Sequence, residues 1–541
     1  MTLLQDTVRQ QAERQPEAIA VVSGQQRMLY RELEEASNRV ARLLRLACGC
    51  QRGDRVALLL PKSLPALVGM LGVLKADCMY VPMDISSPAA RLGKIIDICE
   101  PKVILADAAN ASLLSAIQDG CKTLISSRIG WLTPGAIPET NLESAFCWDD
   151  LPSVSAFVPD SSNKAEDTAH ILFTSGSTGI PKGVVITHSS VIHFLKWATK
   201  YFEMAPSDHI SCHPPLHFDL STFDVYGTFF VGAQLHLVPT HISFLPHKLA
   251  DFIRRSGLTQ WFSVPSALKY MVQFDVVRFN DFPALKRLLW CGEALPTPTL
   301  IHLMRRLPQV KFTNLYGPTE STIASSYYTV PCCPDDERSA IPIGRACEGE
   351  DLILLDGSLQ NVQVGEVGDL YIKGVGLSPG YWREPEKTES VFIQHSKHGR
   401  IYKTGDLARI GNDKLIYLLG RSDSQIKSRG YRIELGEIET ALNALGILRE
   451  CAVIATPMDG FEGTTICCAY VPAKGIDICH SDLRQQLTRV LPPYMIPSQW
   501  MALDSFPLNV NGKCDRSRLR AQFLTGSRKA RSLVASDNRV N

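Results

Sequence analysis

Thr174-Ser-Gly-Ser-Thr-Gly-Ile-Pro-Lys-Gly183 follows a short strand-like run, Ile171-Leu-Phe173. A strand that opens into a turn rich in glycine and hydroxyl groups suits a mobile loop around phosphates. Gly176 and Gly179 let backbone N–H groups approach an anion. The hydroxyls of Thr174, Ser175, Ser177 and Thr178 donate hydrogen bonds, and Lys182 adds a point charge. The loop is not of the Walker A type, which needs Gly-Lys-[Ser/Thr]; here Ile180-Pro181 separates Gly179 from Lys182, and Gly183 follows. The plain alternative is a flexible Gly/Ser linker. The lysine and the preceding strand argue against it.

Outward from this loop, apolar strand-like runs alternate with helical patterns, which predicts an α/β architecture. Val56–Leu60, Val103–Ala106 and Leu370–Ile372 read as strands, and Arg31–Leu46 reads as a helix with Leu33, Ala36, Val40 and Leu44 on one face. Leu4, Val8 and Ala12 suggest an earlier helix that ends before Pro16. After Tyr417-Leu-Leu-Gly-Arg421 the chain becomes charged. A helix carrying Ile438, Leu442 and Leu445 follows, then strands at Cys451–Ala455 and Ile466–Val471 and a helix near Leu483–Leu491. These features predict a large domain over residues 1–422, a small α+β domain over 423–525, and a tail of disordered composition over 526–541.

The 541 residues are 45% hydrophobic and 21% charged, which is globular composition. Fifty-six Lys and Arg against 55 Asp and Glu leave a formal charge of +1, so no long-range field recruits nucleic acid or an anionic membrane. No apolar stretch reaches the roughly 18 residues that suggest a membrane span. The opening residues lack a signal-peptide core. Sixteen scattered cysteines without paired C-x-x-C spacing suggest reduced thiols in a cytoplasmic protein.

The loop also resembles the signature loop of the adenylate-forming enzymes, which include acyl- and aryl-CoA ligases, luciferases and the adenylation domains of nonribosomal peptide synthetases. Further segments fall in that family's order: NLYGPTE (314–320), GDLYIKGVGLSPGYW (368–382), YKTGDL (402–407), GRSDSQIKSRGYRIELGEIE (420–439) and NGKCDR (511–516). LYREL (29–33) and LKADCMYVPMD (74–84) are similar to the peptide-synthetase branch. The resemblance implies a large domain of sheets, packed helices and a distorted barrel, with a small mobile C-terminal domain. It implies a reaction joining a carboxylate to the α-phosphate of ATP, followed by attack of a thiol on the acyl-AMP.

Both steps bring anions together, so cations and backbone donors must offset charge where it develops. Tyr316 can stack on adenine, and Asn314 can hydrogen-bond its amino edge, next to Gly317. The resemblance implies that Thr319 contacts phosphate and that Glu320 holds Mg2+, a hard cation suited to carboxylate and phosphate oxygens. Asp406 resembles the carboxylate that accepts the ribose hydroxyls, and Arg421 the arginine near ribose and phosphate. Lys513, just after Asn-Gly, resembles the catalytic lysine of the small domain. Asp423 resembles the hinge about which that domain turns to present the 427–430 face to the thiol.

In His217-Phe-Asp-Leu-Ser-Thr-Phe-Asp-Val-Tyr226, Asp219 sits among Phe218, Leu220 and Phe223, a costly place for an unpaired carboxylate. In amino-acid-activating members the matching aspartate binds the substrate ammonium; an Asp capping a helix is the plain alternative. Alignment by motif adds Leu220, Phe223, Ser263, Leu289, Cys291, Leu315, Ile323 and Ala324 to the pocket, with Lys513 closing it. Apart from Asp219 and Lys513 the lining carries no charge, so a small or medium apolar amino acid is expected. The order is similar to stand-alone L-prolyl–carrier-protein ligases, which favours L-proline and a separate phosphopantetheinylated carrier protein as partner. An acyl- or aryl-CoA ligase would leave Asp219 unexplained, and every motif keeps its key residue, against a non-catalytic homologue.

Overall fold

The computed structural model describes residues 3–525 except 122, 136–137, 139–140, 177, 244, 458–463, 477 and 509–513, and leaves the side chains of 125 and 457 undescribed. The tail expected from residue 526 lies outside the described residues. Two compact units are present, one of residues 1–85, 92–174 and 182–423, the other of 86–91, 175–181 and 424–541.

The first unit holds three sheets. A seven-stranded sheet runs, in spatial order, through Ser144–Cys147, Arg128–Trp131, Val103–Ala106, Arg55–Leu59, Met79–Pro82, Thr168–Thr174 and Lys182–Thr187. Its neighbours are parallel except the last pair, an antiparallel hairpin. Strands such as Val103–Ala106 are buried throughout, as expected for parallel strands covered on both faces. The helix Leu64–Lys75 is likewise apolar and buried nearly all round, which sequence periodicity alone reads poorly.

A nine-stranded sheet runs through Arg345–Ala346, Ser326–Thr329, Lys311–Tyr316, Arg287–Trp290, Gln260–Ser263, His209–Cys212, Gln234–Leu237, Ile19–Ser23 and Gln26–Leu29. The N-terminal hairpin closes one edge, with Val21 paired to Leu235 in parallel. The third sheet, where the distorted barrel was expected, is antiparallel: Glu350–Leu355, Val367–Gly374, Gly399–Ile410 and Phe392–His395, with Ile416–Arg421 also on Gly399–Ile410. Its pairing path is open.

The second unit is built on Leu448–Pro457, antiparallel to Thr464–Pro472, which pairs in parallel with Gln499–Ala502. Alternation divides this sheet into two buried faces. Val453, Ile466, Cys468 and Tyr470 pack with the helices Leu435–Asn443 and His480–Leu487, while Ala452, Ile454, Cys467 and Ala469 pack with Phe506, Leu519 and Phe523. That double cover explains why Ile466–Val471 is almost continuously apolar. Both helices stop short of the sequence reading: the first ends before Gly446, whose φ is +68°, and the second before Pro492. No helix among the described residues is long and apolar enough to cross a membrane.

Candidate active site

Thr174 and Lys182 face each other across the antiparallel pair of strands Thr168–Thr174 and Lys182–Thr187. Thr174 Oγ1 is buried without a hydrogen-bond partner. In the second unit Ser175 Oγ donates to the Arg432 carbonyl at 2.7 Å. Thr178 is exposed, Gly179 has φ +77° and donates its N–H to the Gly176 carbonyl at 3.0 Å, and Ser177 lies outside the described residues.

Lys182 meets the NLYGPTE segment directly. Its Nζ lies 3.5 Å from Glu320 Oε1 and 3.3 Å from the Tyr381 hydroxyl, and 4.9 Å from the centre of the Tyr381 ring. Tyr381 donates to the same Glu320 oxygen at 2.7 Å. Glu320 is fully buried in the short turn Thr319–Ser321, so this pairing offsets a desolvation cost that an isolated carboxylate could not bear. Tyr381 had no assigned role in the sequence reading, although GYW belongs to a motif; a partner 61 residues away along the chain leaves no periodic signal.

A second polar cluster lies at the other end of the motif. Tyr316 donates to Asp406 Oδ2 at 2.5 Å, and Arg421 donates to Asp406 Oδ1 at 2.7 Å. Burial, reinforced by the Asp406 carboxylate, holds the Tyr316 phenol far above its ordinary range. Arg421 also grips Asp423 through two contacts of 2.7 Å, at the last residue of the first unit. Asn314 donates its side-chain amide to the Pro342 carbonyl at 2.9 Å. Each Asp406 oxygen already accepts one hydrogen bond, and its second lone pair can accept a hydroxyl.

Of the residues aligned by motif to the substrate pocket, Leu220, Phe223, Leu289, Cys291, Leu315, Ile323 and Ala324 belong to one buried apolar cluster. Asp219, itself buried, is the first residue of the short helix Asp219–Thr222, one past the capping position held by Phe218. Phe223 opens a π-helical turn, a feature common at functional sites. Ser263 stands apart: the register pairs Phe262 with Leu289 and Ser263 with Trp290, so Ser263 takes the opposite face, where its Oγ accepts from Trp261 Nε1 at 2.9 Å.

Thr322 and Ile323 have φ of +59° and +72°, a left-handed conformation that costs β-branched residues about 1–3 kcal/mol each. Gly317 lets the preceding segment approach this turn, since a Cβ there would fall 2.6 Å from Ala324 Cα. Lys513 lies outside the described residues. Among those described, no three His, Cys, Asp or Glu side chains converge as a metal cage. Glu320 supplies one carboxylate here, a hard oxygen donor of the kind that suits Mg2+, an ion that usually keeps phosphate and water oxygens in the rest of its shell.

Comparison with known proteins bears on the same segments. Residues 8–382 match the AMP-binding enzyme family, and 437–513 match the AMP-binding enzyme C-terminal domain. The chain is 33% identical to L-proline–[L-prolyl-carrier protein] ligase of Pseudomonas fluorescens over 96% of this chain and 99% of that protein. It is 33% identical to tyrocidine synthase 3 of Brevibacillus parabrevis over 99% of this chain, and spans only 8% of that synthase's length. The crystal structure of the Vibrio cholerae adenylation domain AlmE, in complex with glycyl-adenosine-5'-phosphate, superposes with a TM-score of 0.82 at 25% identity, covering 96% of this chain and 98% of that one. Because the AMP-binding enzyme match takes in Lys182, Tyr316, Glu320 and Tyr381, the C-terminal match follows it in order, and the fold is that of an adenylation domain, the chain belongs to the AMP-binding, adenylate-forming enzymes.

Proposed function

We propose that this chain activates a small apolar amino acid, L-proline foremost, as an aminoacyl-adenylate and passes it to the phosphopantetheine thiol of a separate carrier protein. The observation that carries the reading is Asp219: a buried carboxylate at the start of a helix, on the same short segment as Leu220 and Phe223 of the apolar cluster. Such a carboxylate is suited to one cationic substrate group, and the apolar residues beside it suit an apolar side chain. Full-length similarity to a ligase named for L-proline supports the narrower choice.

In this reading Asp219 pairs with the substrate ammonium while Leu220, Phe223, Leu289, Leu315 and Ile323 surround the side chain. Asp406 accepts the ribose hydroxyls, Tyr316 and Asn314 serve the adenine, and Lys182 and Thr319 meet the phosphates. Mg2+ on Glu320 would supply charge neutralisation to the triphosphate. The substrate carboxylate oxygen attacks the α-phosphorus, the bond to the β-phosphate oxygen breaks, and pyrophosphate leaves. Lys513 offsets the negative charge gathered at that step. The small domain then turns about Asp423, the carrier thiol attacks the acyl carbon, and AMP departs.

Pyrophosphate exchange across a panel of amino and carboxylic acids tests the proposal. L-proline should give the highest kcat/KM. Benzoate or a fatty acid as best substrate would overturn the amino-acid reading; valine or leucine exceeding proline tenfold would overturn only the choice of proline, since that margin is about 1.4 kcal/mol.

A further inference from the structure

Thr322 and Ile323 need external restraint to stay in their left-handed conformation, and the restraints converge on Gly376. Thr322 Oγ1 donates to the Gly376 carbonyl at 2.7 Å, and the Gly376 amide donates to Glu350 Oε1 at 2.7 Å. Contact is tight: a Cβ on Gly376 would fall 2.8 Å from the Ser321 carbonyl oxygen and 2.9 Å from Glu350 Oε1. Glu350 is tied back in turn, its N–H donating to the Cys347 carbonyl at 3.0 Å, and the Cys347 N–H donating to the Ser325 carbonyl at 2.9 Å. These links close a ring from the strained turn through 347, 350 and 376 back to the turn.

Glu350 is 8% exposed, and its second oxygen, Oε2, has no hydrogen-bond partner. With His193, Ser321, Thr322, Ala324 and Cys347 it lines a cavity of about 10 Å3, room for about one water. A half-satisfied carboxylate is a costly filler for such a place, where an apolar side chain would carry no desolvation penalty. What only an acceptor supplies is a partner for the Gly376 amide, whose carbonyl holds the turn that carries Ile323 and Ala324.

We propose that Glu350 is a positioning residue for the amino-acid pocket, fixing through Gly376 the turn that sets Ile323 and Ala324 against the substrate side chain. This rests on the assignment of Ile323 and Ala324 to the pocket. Pyrophosphate exchange with the best amino acid tests it on purified Glu350→Ala, Glu350→Gln and Thr322→Val. Loss of the acceptor in Glu350→Ala should raise the amino-acid KM about tenfold while the ATP KM and kcat stay within about twofold. Glu350→Gln keeps a carbonyl oxygen for Gly376 and should stay close to the parent enzyme. Thr322→Val removes the other anchor at nearly constant shape and should reproduce the Glu350→Ala pattern. The double variant should fall short of the product of the two, because both act on one residue.

An unchanged amino-acid KM in Glu350→Ala, an equal rise in both KM values, or a Glu350→Gln as impaired as Glu350→Ala would overturn the proposal. If Glu350→Ala does not fold, Thr322→Val and Glu350→Gln decide by the same criteria. Ala324→Val separates the two levels of inference. If it leaves the ranking of amino acids untouched, the pocket assignment fails and this proposal with it; if it shifts the ranking while Glu350→Ala is silent, the pocket stands and the role of Glu350 falls.

Discussion

Tyr316 donates its phenolic hydrogen to Asp406 at 2.5 Å, linking the last residue of a strand in the nine-stranded sheet to a strand of the antiparallel sheet. Arg421 holds the other oxygen of the same carboxylate. Asp406→Asn keeps the shape but removes the charge both partners address. We expect the ATP KM to rise about tenfold or more, with a lower melting temperature, because hydrogen bonds to charged groups contribute about 1.5–3 kcal/mol each. Saturation curves for ATP and thermal melts check this; an unchanged ATP KM would remove Asp406 from the nucleotide site.

Tyr381 holds Glu320 through one hydrogen bond and lies under Lys182. Tyr381→Phe keeps the ring and deletes the donor. Adenylation should slow about tenfold and require more Mg2+ for half-maximal rate, since the freed carboxylate shifts toward Lys182. A rate and Mg2+ dependence equal to those of the parent would show that the hydroxyl has no part in placing Glu320.

On the proposed role of Asp219, Asp219→Ala should lower kcat/KM for every amino acid by about a hundredfold or more, as expected for losing one partner of a buried ion pair. Changes at Phe223 or Leu289 should instead reorder proline, valine and leucine. The amino-acid panel separates the two patterns.

Lys513→Ala should slow adenylate formation severely yet largely spare thiol transfer from preformed acyl-AMP. Single-turnover assays of the two half-reactions check this, and equal loss in both would end the assignment.

Glu350 also makes stability depend on pH. Burial raises its carboxyl from an ordinary 4.5 to about 7, against a smaller lowering by the Gly376 amide and a small rise from Asp351. His193 and Glu348 lie beside the same cavity. The folded protein therefore binds a proton more tightly than the unfolded chain. Stability from this group is present below pH 4.5 and lost as pH rises through about 7, a span worth on the order of 3 kcal/mol. Glu350→Gln cannot ionise, so its melting temperature should gain on that of the parent between pH 5 and 8. A gap constant with pH would contradict the shift.

The motifs announced the chemistry because they are local: a glycine-rich hairpin turn, a turn with proline, a glycine before an acceptor. Leu289, Cys291 and Leu315, named by motif alignment, share one face because alternation along neighbouring strands carries them there. Ser263 takes the opposite face by the same rule, a difference set by a register that motif alignment does not contain. Glu350 was invisible for a different reason. Its meaning comes from Gly376 and Thr322, residues 26 and 28 positions away, and from a backbone conformation that β-branched residues ordinarily avoid.

The N-terminal strand has a consequence for synthesis. Ile19–Ser23 is an interior strand of the nine-stranded sheet, resting on Gln234–Leu237, and Tyr30 and Gln15 donate to the Ala233 and Gly232 carbonyls. Both acceptors lie more than 200 positions further along the chain. At about 5–20 residues per second the partner of Val21 emerges roughly 10–40 s later. During that interval the hairpin is an unfinished sheet edge on the ribosome, so slowed elongation between residues 29 and 234 or a lost chaperone would expose that edge to aggregation.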